Sequence, residues 1–245
     1  MITFDHVSFY RGERLILNDV SFTVDSSEKV AILGGSGEGK TTILRLILRL
    51  LQPDSGRVLI DGEDITCKEE DKLTSMRLKF SIVFQDGALF DSLNVKENVA
   101  FYLREYTKMS EVEIDRRVRE LLKVVAVDKA IDLMPEELSG GMLRRVAIAR
   151  SLAAQNPRMF LYDEPTSDLD QVSASKIRKL ILDLSDQTRG FIIVTHEIMD
   201  AVKLANRFMF LMGGKIIFDG TKQQMMKNDS QELIEFLGDW REAIN

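Results

Sequence analysis

At 245 residues, 44% hydrophobic and 29% charged, the chain has an ordinary globular composition and enough length to bury a substantial core. Its formal net charge of −6 argues against non-specific nucleic-acid binding, which needs a basic surface. Cys67 is the lone cysteine, the start Met1-Ile2-Thr3-Phe4-Asp5 does not read as a signal peptide, and no apolar run approaches the roughly 18 residues of a membrane span, so the expectation is a cytosolic chain that reaches a membrane only through a partner.

Residues 1–85 follow the β-period. Ile2, Phe4, Val7 and Phe9 predict one strand and Val20 to Val24 another. Lys29 to Leu33 reads as a buried strand, and it opens directly into Gly34-Gly35-Ser36-Gly37-Glu38-Gly39-Lys40-Thr41. That segment fits the phosphate-loop pattern G-x-x-x-x-G-K-[ST] at every fixed position. A helix is predicted from Thr42 to Leu51, with Arg45 and Arg49 on one polar face. Strand, glycine-rich turn and helix N-terminus together make an anion site, because backbone amides converge and the helix dipole favours negative charge. Glycines let the backbone curl where a Cβ would clash. The pattern assigns Lys40 to the β- and γ-phosphates of a nucleotide and the Thr41 hydroxyl to Mg²⁺.

Asp54-Ser55-Gly56 reads as a turn before a strand from Arg57 to Ile60, which Asp61-Gly62 closes. Phe80 to Phe84 is a short buried strand ending at Gln85, whose amide is either a strand cap or a magnesium ligand. From Gly87 to Asn156 the strand signal disappears. Leu93 to Arg104 and Ser110 to Val125 have helical spacing, with Ser110 and Glu113 forming a capping box. After Pro135 comes Leu138-Ser139-Gly140-Gly141-Met142, then a long helical run. Ser139 suits an N-cap, and the glycines expose amides at a helix start, which makes a second anion site. The strand Met159 to Tyr162 closes on Asp163-Glu164, either solvated acids or a catalytic pair. A helix near 171–186 follows, then a strand 191–195 ending at His196, then a strand 208–212 with a Gly213-Gly214 hairpin turn. His6 reads as structural or exposed. Strands alternating with helices predict an α/β fold with a mostly parallel sheet.

The order of these parts resembles the ATP-binding subunit of ABC transporters: phosphate loop, Gln85, LSGG, Asp163-Glu164, Asp168-Leu169-Asp170 and His196. The resemblance covers Phe4 to about Gly220. It implies a P-loop NTPase core of ABC ATPase type, with an N-terminal antiparallel β subdomain and an inserted helical subdomain. The expected division is an α/β core at 1–86 and 158–220, a helical subdomain at 87–157 and a helical tail at 221–245. The implied cofactors are ATP and Mg²⁺. ATP contacts fall to Gly34, Gly35, Ser36, Gly37, Glu38, Gly39, Lys40, Thr41 and Thr42. Thr41, Gln85 and Asp163 hold the metal, Glu164 polarises the attacking water, and His196 contacts the γ-phosphate. Two anion sites in one chain fit a head-to-tail homodimer, in which Ser139, Gly140 and Gly141 meet the partner's nucleotide and Asp168-Leu169-Asp170 crosses the interface. Met142 stands where many members have Gln, and the backbone contacts survive that change. Where many members stack an aromatic ring on adenine, this chain has Arg11, with Tyr10 adjacent, and either side chain can stack.

Phe84-Gln85-Asp86-Gly87-Ala88-Leu89-Phe90, Leu103 to Thr107, and Leu138 to Arg145, together with Arg11, are similar to the ATPase of Mla/Mce-type phospholipid transport systems. That likeness implies a transmembrane permease, an Mce-domain lipid-binding protein, and a place on the cytoplasmic face of the inner membrane. Thr166-Ser167-Asp168-Leu169-Asp170 is closer to the general ABC form. The alternatives are the ATPase of a polar-solute importer of amino-acid type and, in another class, a non-transport ABC ATPase. Phe84–Phe90 and Leu103–Tyr106 are expected to receive a short permease helix.

Overall fold

The computed structural model describes residues 1–154, 157–185 and 189–238. The last residues of the expected tail, including Trp240, and short stretches of the expected helical subdomain and core lie outside the described residues. The chain forms two compact units.

The first unit comprises Met1–Phe80, Arg158–Asp163 and Ser185–Asn245. Its strands β1 (Ile2–Arg11) and β2 (Arg14–Val24) pair antiparallel. The inward residues Ile2, Phe4 and Val7 break strict alternation, because the step from Phe4 to Val7 is three residues. A register shift absorbs the extra residue there, with His6 left-handed at φ 53°. His6 is exposed, and its Nδ1 lies 2.7 Å from Asp19 Oδ1. Next come β3 (Lys29–Leu33), α1 (Lys40–Ile47), β4 (Ser55–Ile60), the short β5 (Glu63–Asp64) and α2 (Glu70–Arg77). The first sheet is antiparallel in the order β2-β1-β4-β5. Asp61, just past β4, accepts from Lys79 Nζ at 2.7 Å, the N-terminal ammonium at 2.9 Å and Arg158 Nη1 at 3.0 Å. The Lys79 bond, then that of the N-terminal ammonium, holds its carboxyl down at about 2.

Helix α1 ends at Ile47, four residues short of the expected Leu51. Arg49 turns left-handed at φ 53°, so it shares no helical face with Arg45. The bend has side-chain partners: Arg77 donates to the carbonyls of Leu48 at 2.9 Å and Arg49 at 3.2 Å, while Arg49 Nε donates to Thr66 O at 2.8 Å. Those carbonyls would otherwise be orphaned at a helix end. Helix α2 also corrects the β reading of residues 1–85, since its polar face hides the period.

β6 (Phe80–Val83) begins in the first unit and continues into the second. The second unit, Ser81–Pro157 with Glu164–Leu184, is largely helical: α3 (Val95–Tyr106), α4 (Glu111–Val124), α5 (Gly140–Ala153) and α6 (Gln171–Leu184). Residues 81–86 and 164–184 group with the helical segment here, unlike the expected division. Capping boxes open α3 at Asn94–Glu97 and α4 at Ser110–Glu113. Val95, Val99, Leu103, Ile114, Val118, Leu121, Val146 and Ala149 form its core.

The first unit resumes with β7 (Met159–Asp163), β8 (Gly190–Thr195), α7 (Ile198–Leu204), β9 (Arg207–Met212) and β10 (Lys215–Thr221), then α8 (Lys222–Lys227) and α9 (Gln231–Leu237). Within this unit the second sheet runs β10-β9-β3-β8-β7. β9-β3-β8-β7 is parallel, and Gly213-Gly214 turns β9 into antiparallel β10. β3, β7 and β8 are buried nearly end to end, as strands covered on both faces must be. No helix among the described residues is long and apolar enough to cross a membrane.

Candidate active site

Three neighbouring parallel strands deliver candidate residues to one edge of the first unit. Leu33 of β3 is level with Thr195 of β8, and Asp163 of β7 with Val194. The residue after Leu33 is Gly34, the residue after Thr195 is His196, and Asp163 itself ends β7. The C-terminal edge of a parallel sheet is where α/β proteins bind ligands.

Gly34 is irreplaceable for a local reason: a Cβ there would lie 2.4 Å from the Leu211 carbonyl oxygen, and rigid strand backbone cannot yield. Gly39 is left-handed at φ 103° and leads straight into α1. Lys40 is 6% exposed, and its Nζ donates to the carbonyls of Gly34 and Gly35, each at 2.9 Å. The ammonium thus arches back over the loop. The first turn of α1 holds no acidic residue that would repel an anion. Glu38 accepts from Gly213 N at 2.6 Å, which pins the loop to the β9–β10 turn. Ser36 and Gly37 are exposed, Gly35 is half-buried, and Thr41 and Thr42 are half-buried in α1.

Thr41 Oγ1 donates to Asp163 Oδ1 at 2.9 Å. A hydroxyl and a carboxylate at the loop's helix start are hard oxygen donors, the chemistry Mg²⁺ selects. Asp163 is 2% exposed and Glu164 6%, so the reading of this pair as solvated strand-end acids does not stand. Glu164 is left-handed at φ 45°, a conformation that costs energy for a residue with a Cβ. His196 is exposed, with Nε2 3.4 Å from Glu197 Oε1.

Gln85, Glu164 and Ser139–Gly141 belong to the second unit. Gln85 is exposed, two residues beyond the end of β6. Ser139 is the N-cap of α5, its Oγ accepting from Met142 N at 3.3 Å. A hydroxyl that accepts there still has a proton to donate. Ser139 and Gly140 are exposed, whereas Gly141 is buried close to Ser173. Asp170 caps α6 by accepting from Val172 N at 2.9 Å and Ser173 N at 3.0 Å, and the Ser173 bonds lower its carboxyl pKa. The sequence reading missed the buried pair Arg144 and Ser167: Arg144 is one of three arginines in α5, and residue order does not mark it as the buried one.

Arg11 ends β1, paired with Arg14 across an exposed hairpin, and Ile16 and Leu17 of β2 lie against Gly39 of the loop. Tyr10 is also exposed, with its backbone held by Asp54 Oδ2 at 2.7 Å. If Arg11 stacks on adenine, as the resemblance implies, Arg11→Ala raises the KM for ATP about fivefold with kcat nearly unchanged, since a stacked guanidinium contributes about 1 kcal/mol. Steady-state kinetics on Arg11→Ala and Tyr10→Ala check this. An effect in Tyr10→Ala alone would move the stack to the tyrosine.

With this geometry in place, residues 17–167 match the profile of the ABC transporter family. The intermembrane phospholipid transport system ATP-binding protein MlaF of Escherichia coli (strain K12) is 38% identical over 232 residues, covering 94% of this chain and 86% of that protein. The glutamine transport ATP-binding protein GlnQ of the same strain is 39% identical over 238 residues, covering 97% of this chain and 98% of GlnQ. Among solved structures, the dimeric post-hydrolysis state of the ATP-binding cassette MJ0796, bound to ADP and Pi, superposes with a TM-score of 0.83 at 34% identity, covering 90% of this chain and 98% of that one.

Proposed function

We infer, from the fact that this chain belongs to the ABC transporter family and is an ATP-binding ATPase, that it powers a membrane transporter, and we propose phospholipid as the cargo. The observation that carries the cargo reading is the likeness to MlaF along 94% of the chain. GlnQ, at 39% identity, supports a second reading as the ATPase of an amino-acid importer.

In the mechanism we propose, Lys40 and the loop backbone bind the β- and γ-phosphates, and Arg11 stacks on the base. Thr41, Asp163 and Gln85 would hold Mg²⁺, whose charge would offset that of the phosphate oxygens. Glu164 takes the proton of the attacking water, and burial keeps bulk water from competing with it. His196 donates to the γ-phosphate. The exposed amides at the start of α5, with Ser139, meet the nucleotide of a second copy in a head-to-tail dimer, and Asp168 to Asp170 lies at that interface.

The partner is a transmembrane permease, joined in the lipid reading by an Mce-domain lipid-binding protein. The chain then works at the cytoplasmic face of the inner membrane. Phe90, Phe101 and Tyr106 are 44%, 42% and 55% exposed, and Phe90 packs on Phe101 with ring centroids 4.9 Å apart. An exposed aromatic group of this kind, with Phe90 shortly after Gln85 in the chain, suits a docking helix. The test is to purify the complex from membranes with the parent chain and with Phe90→Glu, then reconstitute it in vesicles. We expect the parent complex to contain an Mce-domain protein and to transfer labelled phospholipid in an ATP-dependent way. Phe90→Glu should keep ATP binding but lose the permease. A solute-binding protein in the complex and ATP-driven amino-acid uptake would overturn the lipid reading.

A further inference from the structure

We propose that Arg144 is a positioning residue that couples the signature helix to the hydrolytic carboxylate of the same chain, through Ser167. This rests on the reading of Glu164 as the residue that activates water. Arg144 lies one turn into α5, past Ser139, and is 7% exposed. Its Nη1 donates to the carbonyl of Phe84, the residue before Gln85, at 3.4 Å. Its Nη2 donates to Ser167 Oγ at 3.4 Å. The Ser167 hydroxyl in turn donates to the Glu164 carbonyl at 3.0 Å, and Ser167 N donates to that same carbonyl at 3.3 Å. All of these residues lie in the second unit.

The direction of the chain is chemically fixed. A guanidinium only donates, so Ser167 Oγ accepts from it and has its single proton left for Glu164. The two acceptors are met by separate nitrogens, Nη1 and Nη2, of one rigid planar guanidinium, a spacing that the single nitrogen of an ammonium does not reproduce. Glu164 holds a left-handed backbone, a strained state that persists only where the surroundings over-determine it. The Ser167 bonds close the turn that holds it there. The Arg144 contacts are long for charge-assisted bonds, so a shift of a few tenths of an ångström in α5 changes them steeply. Seating of Ser139–Gly141 on an anion therefore reaches the backbone of Glu164 and of Gln85 without any contact between those residues and that anion.

The experiment measures ATP hydrolysis, ATP binding and thermal unfolding for the full chain as Arg144→Lys, Ser167→Ala and the double variant, with Glu164→Gln in parallel. Each single variant is expected to lower kcat about tenfold while KM stays within about twofold of the parent, because the relay touches no nucleotide. The double variant should fall no further than about twofold below the weaker single, since both remove one relay. If Arg144→Lys does not fold, Ser167→Ala, which deletes one buried hydroxyl, carries the test by its kcat. Parental kcat in the folded variants beside an inactive Glu164→Gln overturns the relay alone. So does a multiplicative, roughly hundredfold loss in the double variant, which means independent roles. Normal turnover by Glu164→Gln instead overturns the reading on which the relay rests.

Discussion

Glu164→Gln is expected to reduce steady-state ATP turnover by at least about a hundredfold, the lower range for loss of a general base, while ATP binding stays close to parental. Glutamine matches glutamate in shape, so the left-handed turn and its Ser167 bonds are kept. What is lost is the capacity to take a proton. At 6% exposure, no bulk water stands in for the missing base. Phosphate release and filter binding of labelled ATP measure the two quantities separately. The variant should also trap a dimer with ATP and Mg²⁺, visible by light scattering, because hydrolysis no longer dissolves the shared sites. Turnover within a few-fold of the parent would remove Glu164 from the mechanism.

Lys40→Ala is expected to act earlier, on binding. In the structure the Lys40 ammonium bridges the carbonyls of Gly34 and Gly35, each at 2.9 Å. A nucleotide offers it phosphate oxygens, which are stronger acceptors than neutral carbonyls. A hydrogen bond to a charged group contributes about 1.5–3 kcal/mol, so ATP affinity should weaken roughly 10- to 100-fold. The two carbonyls also lose their bridge, which adds loop disorder to the loss of charge. Fluorescent-nucleotide titration gives the affinity. An affinity within threefold of the parent would mean that the backbone amides hold the phosphates without the lysine. Together the two variants separate binding from chemistry, since one removes a phosphate-binding cation and the other the proposed base.

Residue order alone determined a great deal. The phosphate loop is legible because its constraints are local: glycines for a tight turn, lysine and threonine at a helix start. The buried strands Lys29–Leu33, Met159–Asp163 and Gly190–Thr195 read as apolar runs because both of their faces are covered. The capping box at Ser110–Glu113 is likewise a short-range code. Where control passed to distant residues, the reading stopped short. Past Ile47, where helix α1 ends and Arg49 turns left-handed, Arg77, far along the chain, takes the carbonyls of Leu48 and Arg49. The odd spacing from Phe4 to Val7 makes sense only once the bulge at His6 is seen. Sequence left Asp163-Glu164 open between solvated acids and a catalytic pair, and burial of both carboxylates removed the first reading. The Arg144–Ser167–Glu164 chain had no sequence signature, because its Arg144–Ser167 link joins separate segments that only tertiary packing brings within hydrogen-bond reach. Backbone conformation follows from a few neighbouring residues, whereas a hydrogen bond between remote segments depends on where the whole unit places them.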